Sequence, residues 1–217
     1  MVGPSSSHTA GAARLGNIAR RICGKDFTRV AFYLHGSFAS TYQGHGTDRA
    51  LLGGILGLEP ADERIRDSFT IARARGLEWE FIPADLGDVH PNTVRIEAWC
   101  QDGSLCTVQG ASIGGGKVLI TRINHLPVEF SCQYPTLITR HLDQPGVVAR
   151  VTALLAQNEI NIAFLKVFRE SRGEEAAMII ETDQNITEAV LAGLRELPGI
   201  EETVFVNGAI TPAEEGD

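Results

Sequence analysis

Behind a run of small hydroxyl residues, apolar side chains recur at Ala12, Leu15, Ala19 and Ile22, and this spacing predicts a helix over 5–22 with one buried face. Residues 28–34 read as a strand. Thr47 and Asp48 then open a second helix that carries Ala50, Leu51, Leu52 and Ile55 to about residue 58, which leaves 36–46 as a loop. A third helix is predicted over 62–74. Strands follow at 78–82, 93–99, 105–111 and 117–123, with turns at Asp102-Gly103 and Gly114-Gly115-Gly116. The pattern makes residues 1–130 an α+β domain.

Around 127–135 the periodicity restarts. It then gives a strand (136–142), a helix (145–157), a strand (161–169), a turn at Ser171-Arg172-Gly173, a strand (176–182), a helix (186–197) and a strand (202–206). This βαββαβ order over 134–210 is the ferredoxin-like split βαβ. Val147, Val148, Val151, Leu154 and Leu155 fall along one side of its first helix, so both helices should cover one sheet face. Asn185, three residues before Glu188, predicts a capping box for the second helix.

Composition narrows the function. The 217 residues are 43% hydrophobic, enough for two cored domains. No stretch approaches the roughly 20 apolar residues of a membrane span, and the first residues lack the regions of a signal peptide, so a cytoplasmic protein is expected. A net charge of −8 with thinly spread Lys and Arg argues against nucleic-acid partners. Cys23, Cys100, Cys106 and Cys132 form no C-x-x-C and match neither a zinc site nor a cluster run, so no metal ligand is assigned. They read as small buried hydrophobes. Cys100 and Cys106 flank a turn where they could face each other, although a disulfide would be unusual in a reducing compartment.

Two blocks carry candidate chemistry. Ser5, Ser6, Ser7, His8 and Thr9 stand at or just before a helix N-terminus, where free amides and the helix dipole favour a carboxylate or phosphate. Capping alone needs only one of those serines. Gly44-His45-Gly46-Thr47-Asp48-Arg49 places a histidine between two glycines before the next helix, and such a histidine can serve as a base near neutral pH. A plain solvated loop is the alternative, and Asp48 and Arg49 could serve capping and an ion pair. His90-Pro91-Asn92-Thr93 reads as turn chemistry. Neither a dinucleotide fingerprint nor a Walker A motif survives inspection, and none of the three lysines sits in a pyridoxal-phosphate context.

Five ordered segments, G-P-S-S-S-H-T-A-G-A at 3–12, H-G-S-F-A-S-T at 35–41, G-H-G-T-D-R-A at 44–50, H-P-N-T at 90–93 and S-I-G-G-G-K at 112–117, resemble the beta subunit of bacterial iron-sulfur L-serine dehydratases. D-Q-P-G-V-V at 143–148 resembles the first strand-to-helix loop of ACT domains. The resemblance implies a lyase of two chains, in which an alpha subunit holds a 4Fe-4S cluster and the beta chain completes the L-serine site. It implies His45 as base beside His8. Ser5, Ser6, Ser7, His8 and Thr9 would grip the substrate carboxylate or complete the cluster pocket, and Thr47 and Asp48 would orient His45 or the substrate ammonium. Members of that family usually start about a dozen residues further upstream, which leaves a shortened start, with a lost edge strand, and a misassigned one as the open alternatives.

For the ACT-like part the resemblance implies homodimeric contacts and an effector site at Asp143, Pro145, Gly146, Asn161 and Ile162. A purely structural pairing role is the alternative. The first domain also resembles the anion-binding accessory domain beside an ACT domain in some phosphoglycerate dehydrogenases, which implies a second reading: a non-catalytic regulatory module for an anion or amino acid.

Overall fold

The computed structural model describes residues 8–24 and 26–208, which fall into two compact units, Met1–His125 and Leu126–Asp217. The first unit holds α1 (Ala10–Ile22), β1 (Phe27–Leu34), α2 (Gly36–Thr41), α3 (Thr47–Ile55), α4 (Ser68–Ala74), β2 (Glu78–Pro83), β3 (Thr93–Cys100), β4 (Leu105–Gly114) and β5 (Lys117–Ile123). Two expectations need correction here. The segment 36–46 contains a helix, since α2 packs Phe38 into the core, and the helix expected over 62–74 is a 3-10 turn (Glu63–Asp67) followed by α4.

Within this unit the strands lie in the order β2-β1-β3-β4-β5. Only β1 and β2 are parallel, joined by the crossover that carries α2, α3 and α4; the other pairs are antiparallel. Alternate residues Val94, Ile96 and Ala98 of β3 are buried, the period-two pattern of a sheet with a covered face.

Small residues decide how closely the helices approach. A Cβ at Gly16 would lie 2.3 Å from the Leu51 carbonyl oxygen, and one at Gly54 only 2.0 Å from that of Ala13. The backbones of α1 and α3 therefore touch at a crossing only glycine permits. Gly110 of β4 serves the same end, because a Cβ there would meet the Leu15 side chain at 2.8 Å.

The second unit begins with β6 (Leu126–Phe130), which the sequence pattern placed in the first domain. β6 is not a strand of that unit's four-stranded sheet, which is built from β7 (Thr136–Leu142), β8 (Ile162–Arg169), β9 (Glu175–Thr182) and β10 (Ile200–Val206), with α5 (Val147–Gln157) and α6 (Glu188–Arg195) between them. Its sheet order, β10-β7-β9-β8, is that of the ferredoxin-like fold. Val151 and Leu155 of α5 join Val190, Leu191 and Leu194 of α6 over Leu137, Met178 and Ile180, and Val147 is also buried. Val148 turns outward instead, at 37% exposure. The cap of α6 is Thr187, whose hydroxyl accepts the Val190 amide, and not Asn185; Glu188 pairs with Arg195 rather than reaching back.

The cysteines also depart from expectation. Cys23, at the end of α1, is joined to Cys106 of β4, while Cys106 lies opposite Ala98 rather than Cys100. Cys100 points its thiol at the Cys23 carbonyl, and Cys132 is buried. No helix among the described residues is long and apolar enough to cross a membrane.

Candidate functional site

The site is assembled at the starts of α1 and α3. Thr9 occupies the N-cap position of α1, where its carbonyl accepts the Ala13 amide but its side chain does not cap the helix. Ser5, Ser6 and Ser7 lie outside the described residues. His8 shares a 3.1 Å hydrogen bond between its Nε2 and Ser37 Oγ, and its ring meets Phe38 edge-on at 5.5 Å.

His45 stands 4.9 Å from His8, ring centre to ring centre. The helical turn of α2 puts it there: the Thr41 carbonyl accepts the His45 amide at 3.1 Å, and the Tyr42 carbonyl accepts that of Thr47 at 2.9 Å. Gly46, at φ 71°, then turns the chain into α3 through the left-handed region. Burial, then the nearby His45, push the His8 pKa below its ordinary value, so His8 is neutral at neutral pH. The exposed His45 faces the uncharged ring.

Thr47 and Asp48 are both buried, and neither makes a hydrogen bond to His45. Thr47 Oγ1 has no partner, and Asp48 Oδ1 accepts the Arg49 amide at 2.7 Å. Burial raises the Asp48 carboxyl, with that amide opposing the shift.

Three further residues of the quoted segments join the site without having been assigned a role there. Ser37 holds His8; Asn92 and Ser112 are linked by the Ser112 amide to the Asn92 carbonyl at 3.0 Å and by Asn92 Nδ2 to the Ser112 carbonyl at 3.4 Å. The turn 90–93 is thus more than a turn, because the Pro91 carbonyl also accepts the Ser37 amide at 2.8 Å. Asn92 Oδ1, Ser112 Oγ and His8 Nδ1 are enclosed and unpartnered. The available signal was the presence of small polar residues in segments that otherwise only needed turns.

The expected effector residues lie at the starts of α5 and β8. Asp143 is engaged by its own unit, accepting from Arg169 and from the Gly173 amide, and these hold its carboxyl below the usual range. Gly146, at φ 89°, is the N-cap of α5. Asn161 donates to Gln184 and Asp183. Only Asn161 and Ile162 line an open groove of about 520 Å³, together with Ala149, Thr152, Ala153, Ala156 and Ile160.

No group of three or more His, Cys, Asp or Glu side chains among the described residues is placed to hold a metal ion. With Cys23 and Cys106 joined to each other, these residues do not fit as the ligands of a 4Fe-4S cluster.

Comparison with known proteins agrees with this layout. Residues 1–75 match the family model described as Serine dehydratase beta chain, and residues 136–199 match the ACT domain. The probable L-serine dehydratase beta chain of Bacillus subtilis is 44% identical over 92% of this chain and 90% of its own. The L-serine dehydratase beta chain of Peptoniphilus asaccharolyticus is likewise 44% identical, over 89% of this chain and 88% of its own. The D-3-phosphoglycerate dehydrogenase of Methanocaldococcus jannaschii is 28% identical over 90% of this chain but only 37% of its own.

Proposed function

The chain belongs to the serine dehydratase beta chain family, and on that premise we propose that it completes the L-serine site of a two-chain, iron-sulfur lyase whose 4Fe-4S cluster is held by an alpha subunit. The observation that carries this reading is the 4.9 Å approach of the His8 and His45 rings, where the starts of α1 and α3 meet.

The reaction breaks the Cα–H and Cβ–O bonds of serine, and the electrons freed at Cα form the double bond of an aminoacrylate. The departing hydroxide leaves as water after protonation, and tautomerisation and hydrolysis give pyruvate and ammonia. When bound to its partner, the cluster supplies activation of the leaving hydroxyl. The present chain supplies the base: an imidazole nitrogen of His45 takes the Cα proton. A neutral His8 suits that step, because an imidazolium forming at His45 meets no second positive ring. Free amides at the start of α1, with Thr9 and the serines Ser5, Ser6 and Ser7, bind the substrate carboxylate.

Carboxylate or phosphate binding alone would need hydroxyls and amides but no titratable pair, which favours catalysis over a purely regulatory role. The test is His45→Gln in the chain assembled with its partner and an intact cluster. Turnover should fall on the order of 10²–10⁴-fold. Near-normal pyruvate formation would remove His45 as the base.

A further inference from the structure

Ser112 is fully enclosed, yet its hydroxyl has no partner. An unsatisfied buried group of this kind lowers stability, a loss that alanine would avoid. Its Oγ and Cβ press on α1 at Gly11, where a Cβ would lie 2.0 Å from Ser112 Oγ and 2.8 Å from Ser112 Cβ. The tip of the same hairpin holds the helix a second time: Arg14 Nη1 donates to the Gly116 carbonyl at 3.2 Å.

These contacts close a ring. From Gly11 it passes to Ser112, from the Ser112 amide to the Asn92 carbonyl, and from neighbouring Pro91 to the Ser37 amide. Ser37 Oγ then reaches His8, three residues before Gly11 in the chain. The depth at which α1 rests on Ser112 therefore sets where His8 stands against Ser37 and His45.

We propose that Ser112 is a positioning residue for the dehydratase reaction, a size-matched seat for Gly11 that fixes the first turn of α1 and through it the spacing of His8 and His45. This rests on the catalytic reading above. The hydroxyl is retained for its size and place, at a cost in stability.

The test uses the two-chain holoenzyme. Ser112→Ala removes the enclosed hydroxyl, so the thermal midpoint should hold or rise while kcat falls on the order of 10- to 100-fold, the cost of misplacing a catalytic group by up to about 1 Å. A merely structural role would not give that split. Gly11→Ala should lower kcat similarly and change the pH profile of kcat/KM, because the nearby His45 is one cause of the lowered His8 pKa. Gly11→Ala combined with Ser112→Gly frees the space and should recover most of the loss relative to Gly11→Ala. Wild-type kcat and pH profile in Ser112→Ala overturn the proposal, even if Gly11→Ala fails to assemble. So does a double variant as impaired as Gly11→Ala. His45→Gln run alongside separates the two ideas: if it loses turnover while Ser112→Ala does not, only the positioning role falls; if both retain turnover, the catalytic reading falls first.

Discussion

Polar side chains are treated in opposite ways at the two places where ligands were expected. At the starts of α1 and α3, His8 Nδ1, Thr47 Oγ1, Asn92 Oδ1 and Ser112 Oγ are enclosed without partners. In the second unit the corresponding loop meets its own needs: Asp143 is taken by Arg169 and Gly173, Asn161 by Gln184 and Asp183, and Arg140 by Glu175 and Glu202. Arg150 Nε is the exception among the described residues there. A folded chain tolerates unmet buried groups where something else requires them, since each costs about 1–3 kcal/mol. The first unit carries most of that cost at one corner, with Ser68 Oγ and Arg95 Nε also lacking hydrogen-bond partners elsewhere in it, whereas the second is closer to complete in itself.

This contrast can be broken in the second unit, beginning with the largest effect. Leu155→Ala empties the middle of its core and should cost about 2–5 kcal/mol, read by denaturant or thermal unfolding. If the chemistry belongs to the first unit, pyruvate formation per folded molecule stays unchanged at a temperature where the variant remains folded. A fall in kcat matching the loss of stability would join the units functionally and erase the contrast.

Asp143→Asn is milder. It weakens two charge-assisted hydrogen bonds in an exposed setting, and about 1 kcal/mol or less is expected. Isothermal calorimetry with L-serine on the full chain should give the same second-unit signal before and after the substitution. A binding site that appears or disappears with Asp143→Asn would make that carboxylate a ligand contact instead of an internal tie.

The smallest effect concerns pH. Burial lowers the pKa of His141, outweighing Thr139, Asp143 and Glu201, which act to raise it. The unfolded chain therefore takes up a proton that the folded chain resists. Stability is undiminished above the ordinary value of 6.5 and is lost as pH falls below it toward the folded value. His141→Gln should flatten the stability profile in that window. An unchanged slope would mean that His141 does not carry it. His8 shares the sign, because burial and His45 lower it too.

Much of the fold could be read along the chain. The two helices and the four strands β7 to β10 of the second unit follow from local periodicity, and their order determines which strands are neighbours. Corrections arose where local signals competed or contact was distant. Asn185 and Thr187 are both plausible caps, and the backbone chose the residue adjoining the helix. The segment 36–46 is rich in Gly, Ser and Thr, yet Phe38 buried against the core makes its first half helical. His8 and His45 were recognisable individually. Their 4.9 Å approach depends on Gly16 and Gly54 letting two helices touch, and no period within either helix encodes that. Ser112 lay in a quoted segment, but its importance comes from Gly11, far away in the chain.

The Cys23–Cys106 bond spans 83 positions, and between its ends lie β1, α2, α3, α4, β2 and β3. His45, Ser37 and Asn92 therefore sit on a covalently closed loop, while His8 and Ser112 lie just outside its two ends. A protease cut anywhere within 24–105 opens that loop without releasing a fragment. On a denaturing gel the nicked chain would run as a single species until reductant separates it in two.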